Sequence, residues 1–178
     1  YVFQQYDRRE DGSLVPLAKR NIDTGGGLER LAQVLQGVLP DNFRTDLFAP
    51  LVKKIEALSG HGYGEATATD RSIRIVADHA RAASFLIADG IAPSNEWRGY
   101  VLRRLLRRGV LHARRLGLRT GSLAVVSGEV VKTMQRYHHE LTGARDRIAE
   151  TIGDEEAKFE RTLVAGLDHL NDAVSAAR

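Results

Sequence analysis

Cysteine is missing from all 178 residues. Structural disulfides and thiolate metal sites are thereby excluded, and the composition favours an intracellular, cytoplasmic setting. No apolar run approaches the ~20 residues of a membrane-spanning helix, so no membrane partner is expected. The start does not read as a signal peptide. No initiator Met precedes "YVFQQY", from which we expect a piece of a longer protein. Internal repeats and low-complexity tracts are lacking too. The six histidines show no H-x-x-x-H spacing, so no zinc or other metal site is expected in this chain. Lysine is missing from Arg81 to Thr120, where nine arginines face two carboxylates, Asp89 and Glu96. Lysine would serve solubility equally well. A segment built on arginine alone points to a polyanionic partner.

Hydrophobic residues make up 43% of the chain and charged residues 28%. That balance and length suit one ordinary globular domain or two small ones. "YVFQQY" and "VPLAKRNID", on either side of the Asp11-Gly12 turn signal, read as two β-strands. From Thr24 the apolar period changes to that of a helix, with Leu28, Leu31, Val34, Leu35 and Val38 on one face. Gly37 and Pro40 lie where this helix should stop. Further helices are predicted over about 46–58, 71–89, 95–116, 121–141 and 144–176, with Ser94 or Asn95 capping the third of these. The loop "GHGYGEATATD" at 60–70 is the expected boundary between two lobes, 1–59 and 60–178. The fold class expected is α+β, mostly α-helical: short antiparallel strands at the N-terminus, then a helical bundle.

Three stretches invite a chemical reading. In "RNIDTGGGLERL" (20–31) three glycines open a helix, whose free N–H groups and dipole suit an anion. Arg30 sits near the first turn, where its planar fork can clamp a phosphate. Asp23, at the strand end, can accept from an ammonium group. The pattern fits neither the P-loop nor the dinucleotide fingerprint, and a plain tight turn stands beside the ligand reading. On a 95–116 helix, Arg103, Arg104, Arg107, Arg108, Arg114 and Arg115 fall in one broad sector, opposite Leu102, Leu106, Val110 and Ala113. RNA suits such a face through stacking and forked phosphate contacts; a solvated face or a protein partner are the alternatives. Asp78-His79 reads as a structural pair. The stripe Ile148, Ile152, Phe159, Leu163, Leu167, Leu170 and Val174 reads as a structural docking or coiled-coil seam.

"DTGGGLERL" closely resembles motif 3, G-x-G-x-E-R, of class II aminoacyl-tRNA synthetases, in the form typical of alanyl-tRNA synthetases. "TDLFAPLV" (45–52), "SIRIVADHARAASFLIADGIAPSNEWRGYVLRRLLRRGV" (72–110) and "GDEEAKFERTLVAGLDHL" (153–170) resemble that family as well, over its tRNA-recognition region. The resemblance implies roles. Arg30 would hold the ATP γ-phosphate and Asp23 the alanine ammonium group. Gly25 and Gly27 would let substrate approach the backbone, and Val2 would line the alanine pocket. Asn95 matches the asparagine that contacts the G·U wobble pair of the alanine tRNA acceptor stem, with Arg98, Arg103, Arg104, Arg107 and Arg108 on the same RNA. Gly26 and Trp97 depart from the family, which often has Met at the first position and usually a small residue such as Gly at the second. Motifs 1 and 2 would precede Tyr1. The chain is therefore expected to supply motif 3 and acceptor-stem recognition to an ATP- and Mg2+-dependent ligase, and to be inactive alone. A non-catalytic RNA-binding adaptor on the same scaffold is the alternative.

Overall fold

Polar and apolar residues flanking Asp11-Gly12 fold back on themselves as a hairpin. Strands β1 (Phe3–Arg8) and β2 (Leu14–Ile22) pair antiparallel, as the computed structural model, which describes residues 3–176, makes clear. Asp11 builds the turn: its carboxylate accepts from the Ser13 N–H at 2.9 Å and the Ser13 hydroxyl at 2.6 Å, and both bonds hold its carboxyl below the ordinary carboxylate value. The register slips between Gln4 and Tyr6, where Pro16 lies opposite Tyr6. Proline has no N–H for the ladder, so an irregularity suits it. Helix α1 (Leu28–Leu35) follows the glycines, with Gly27 as its N-cap. It ends three residues earlier than its apolar period, because Gly37 turns left-handed (φ +67) and Val38 N–H bonds back to Gln33. A short 3-10 turn, Asn42–Arg44, closes this first unit.

The chain divides into two compact units, one up to Thr45 and one from Asp46 onward. The second holds α2 (Ala49–Ser59), α3 (Thr67–Ala88), α4 (Trp97–Arg115), α5 (Ser122–Met134), α6 (His139–Gly143) and α7 (Arg145–Ala176). The mostly helical α+β class expected from the sequence is what forms. The loop at 60–66 lies inside the second unit, and its backbone explains why. The Tyr63 N–H donates to Glu56 of α2 at 2.7 Å, and the Gly64 N–H donates to Asp70 of α3 at 2.8 Å. Carboxylates from both flanking helices thus hold it as a tight connection.

Helix α3 is the centre of the bundle and packs against α2, α4, α5, α6 and α7. Small residues on it, Ala77, Ala80 and Ala83, are fully buried. Facing them, Gly109 of α4 lets the helices approach: a Cβ there would stand 3.2 Å from Leu123 and 3.7 Å from His79. Around this seam the fully buried Leu51, Ile55, Ile73, Leu102, Leu106, Leu123, Leu141, Ile148 and Ile152 form one core. Each such aliphatic side chain stabilises by about 1.5–3 kcal/mol on burial.

Two expectations need revision. The helix predicted over 121–141 is interrupted. Tyr137 and His138 N–H groups both turn back to the Met134 carbonyl, and the chain restarts as α6 so that Leu141 reaches the core. The α7 stripe is buried at its start, half-buried at Phe159 and Leu163, and uncovered beyond. Ile148 and Ile152 are buried, whereas Leu167, Leu170 and Val174 are exposed along the distal half.

Candidate nucleic-acid interface and phosphate-binding turn

Arginine is long enough to pack its stem on a neighbouring helix and still reach a charge. In α4 this splits the arginine sector into two rows. Arg103, Arg107 and Arg114 lean toward α7. Arg107 Nε donates to Glu155 Oε1 at 2.8 Å, and Arg103 Nε lies 3.5 Å from the same oxygen. Glu155 is only 3% exposed, so this is a desolvated carboxylate shared by two guanidinium groups. Arg107 also lies over the Phe159 ring at 5.4 Å, and Arg114 pairs with Glu160. This row stitches α4 to α7.

The other row faces outward. Trp97, Tyr100, Val101, Arg104, Arg108 and Arg115 recur at helical spacing and are all exposed. Arg98 is exposed beside them. The outward stripe therefore begins with aromatic and apolar side chains and continues with guanidinium groups.

Asn95 stands at the head of this stripe, in the connection before α4. It does not cap the helix; Glu96 occupies the cap position, and no side chain bonds there as a cap. Ser94 fixes the connection instead. Its N–H donates to the Gly99 carbonyl at 3.1 Å, and its hydroxyl donates to the Glu96 carbonyl at 2.9 Å. Gly99 is buried against this loop, where a Cβ would collide with Ser94 and the Ala92 carbonyl. The Asn95 amide oxygen accepts from Arg103, which in turn pairs with Glu155. One lone pair of that oxygen and both amide hydrogens remain for a ligand. Asn95 is exposed, so a relay from a buried carboxylate orients an outward-facing amide.

The predicted residues of the first unit lie around its glycine turn. Asp23 is exposed and accepts from Gln4 Nε2 at 3.2 Å. Gly25, Gly26 and Gly27 are exposed. No side chain caps the α1 N-terminus. Arg30 is exposed and its stem folds back over Gly27, where a Cβ would meet it at 3.3 Å. Val2 lies outside the described residues. Asp23 thus comes together with β1, and Arg30 with the glycines. The apolar residues of this unit stay uncovered: Phe3, Tyr6, Leu14, Ile22, Leu28 and Leu31 are each more than half exposed.

His79 and His112 are interior histidines. His79, 7% exposed, pairs with Asp78 at 2.9 Å. Asp78 is held below its ordinary value chiefly by that bond. His112, 5% exposed, meets the Ser72 hydroxyl at 3.1 Å, and its burial, then Arg115, Arg108 and Arg71, push it below the ordinary histidine value. Among the described residues, no three His, Cys, Asp or Glu side chains converge as a metal site. Among the same described residues, no helix is long and apolar enough to cross a membrane.

Sequence reasoning missed one buried partner of the arginine row. Glu155 sits among several charged residues of a helix, and only its burial between Arg103 and Arg107 reveals its role. No signal in the local sequence marks it.

Comparison with known proteins gives concordant matches. The family described as tRNA synthetases class II (A) matches residues 1–178. An alanine-tRNA ligase of Acidithiobacillus ferridurans is 49% identical over 98% of this chain and 20% of its own length. That of Magnetococcus marinus is 50% identical over 99% of the chain and 20% of its own length. That of Bacillus pumilus is 41% identical over 99% and 20%. The chain thus spans a fifth of the length of these curated relatives.

Proposed function

From the premise that the chain belongs to the class II (A) tRNA synthetases, we propose that it is the part of an alanine-tRNA ligase that joins motif 3 to the acceptor-stem-binding helices. The whole enzyme would activate alanine with ATP and transfer it to the 3′ end of its tRNA. The observation that carries this reading for the second unit is the Asn95–Arg103–Glu155 relay beside the outward arginine row. A wobble G presents an exocyclic amino donor in the wide RNA minor groove, and the spare lone pair of Asn95 can accept from it. Arg98, Arg104 and Arg108 are free to meet phosphates on either side. Arg103 and Arg107 support this face from behind and, in this reading, act chiefly by positioning. We assign residues from about 60 onward to recognition, and those up to 59 to the catalytic domain.

The first unit contributes one wall of an activation site. The bare N-terminus of α1 and the exposed Arg30 fit a phosphate chain. Guanidinium there would stabilise charge as pyrophosphate leaves. Asp23 would hold the alanine ammonium group, with Gln4 steadying the carboxylate from β1. Gly25 and Gly27 would keep side chains away from the bound substrate. ATP, when bound with Mg2+, supplies the activated phosphate; we assign no residue of this chain to the metal.

Binding of a hairpin RNA to the chain tests the recognition half. Affinity is expected to fall steeply with added salt. Arg104→Glu with Arg108→Glu should weaken binding by about tenfold or more, since two phosphate contacts become repulsions. Unchanged affinity in the double variant contradicts the reading and leaves a protein partner as the use of this face.

A further inference from the structure

Trp97 is the single tryptophan of the chain. It is 89% exposed, so almost the whole indole is bare. Its backbone lies at φ +50, the left-handed region that bulky side chains avoid. Two unfavourable features therefore coincide at one residue: a strained backbone and a large aromatic surface in water. The loop that Ser94 and Gly99 hold in place fixes the backbone, and the indole is left bare. Local strain and bare apolar surface that persist together mark a place where the return comes from outside the molecule.

The surroundings say what that partner is. Asn95, two residues earlier, holds an oriented amide outward. Tyr100 and Val101, each about half exposed, lie one helical turn further along. Exposed Arg98 adjoins it, and Arg104 and Arg108 follow two and three turns further along the same face. Acidic side chains are sparse here: Glu96 is the one carboxylate between Ile91 and Thr120. A flat aromatic face at the head of a row of guanidinium groups matches a polymer with flat bases and a phosphate backbone. It does not match an acidic protein surface, which offers charge without stacking partners.

We propose that Trp97 is a stacking residue for RNA, its indole lying on an unpaired base, or on the terminal base pair, at the end of the stem that Asn95 and the outward arginines contact. The inference rests on the recognition reading above and adds to it a division of labour. Stacking tolerates any base, because every base presents a π-face. Trp97 therefore contributes affinity, and Asn95 contributes discrimination. A glycine at this position would suit the left-handed backbone but offer the RNA no surface.

Because the chain has one tryptophan, its fluorescence reports on this side chain alone. Titration of the 178-residue chain with a hairpin RNA bearing a short single-stranded 3′ extension should quench most of the emission and shield the indole from acrylamide. Trp97→Gly should bind the same RNA roughly tenfold more weakly, in the range expected for loss of one stacked base. Its melting temperature should equal or exceed that of the unaltered chain, which separates lost contact from lost folding. Trp97→Phe, which keeps a π-face, should retain most of the affinity. The preference for a G·U over a G·C stem should stay the same in both variants. If the RNA binds in an Arg104- and Arg108-dependent way without quenching, and Trp97→Gly binds equally well, the stacking role falls while the recognition reading stands. If the unaltered chain binds no RNA at all, both fall.

Discussion

At the scale of single residues, a charge or ring can be judged only by what lies behind it. Glu156 illustrates this. It is 1% exposed, and its carboxylate accepts from the Gly121, Leu123 and Ala124 N–H groups at 3.1–3.2 Å. It thus caps α5 from another helix, a task that a local cap would perform in most helices. Burial pushes its carboxyl above 4.5, against the opposing pull of the three N–H donors. Glu156→Ala should lower unfolding free energy by about 2–4 kcal/mol, because it leaves one buried and two part-buried donors without their acceptor, and a small cavity. Urea denaturation measures this. A raised folded value means that the native state holds the proton more tightly. The group's pH-dependent stabilisation is therefore full below 4.5 and declines as pH rises through the raised value. The gap between the unaltered chain and Glu156→Ala should narrow over that rise. The glycine run at 25–27 was legible at this scale, since position and residue type alone marked a helix opening. The departure at Trp97 was legible as a departure. Its left-handed backbone was not, because φ is set by the loop that Ser94 and Gly99 hold in place.

At the scale of elements, apolar periodicity located the helices well, because burial on one face is what each helix needs to be stable. It failed where a helix gains more by breaking. The turn after Met134 lets Leu141 into the core, and no local pattern reports that exchange. The same limit applies to the arginine sector of α4. Amphipathicity separates arginines from leucines, but it cannot separate arginines that meet Glu155 and Glu160 from arginines that meet water. That distinction belongs to α7, more than forty residues away in sequence. Glu155 gives an element-level prediction. Glu155→Ala leaves Arg103 and Arg107 adjacent and uncompensated but partly reached by water, and should cost about 1–3 kcal/mol in chemical denaturation. It should also free Arg103 from α7 and loosen Asn95, so that selectivity for a G·U stem falls further than overall RNA affinity. Equal losses in both would show that the relay holds the helices together without orienting the amide.

At the scale of the whole molecule, the two units differ in how much of their own structure they explain. The second has a continuous core and an arginine face whose supporting contacts come from its own helices. In the first, neither strand has a buried residue and the apolar face of α1 is uncovered among the described residues. Two strands rarely suffice to bury a sheet face. The relatives are five times longer than their match to this chain. The central claim therefore rests on the second unit, and one comparison tests it most directly. The affinity of the unaltered chain is measured for two hairpin RNAs that differ only in a G·U or G·C pair near the stem end, and again with Asn95→Ala. A preference of about five- to tenfold for G·U, erased by Asn95→Ala, is the predicted result, in line with about 1 kcal/mol or slightly more for one base-edge hydrogen bond. Equal binding of both stems by the unaltered chain would contradict the account.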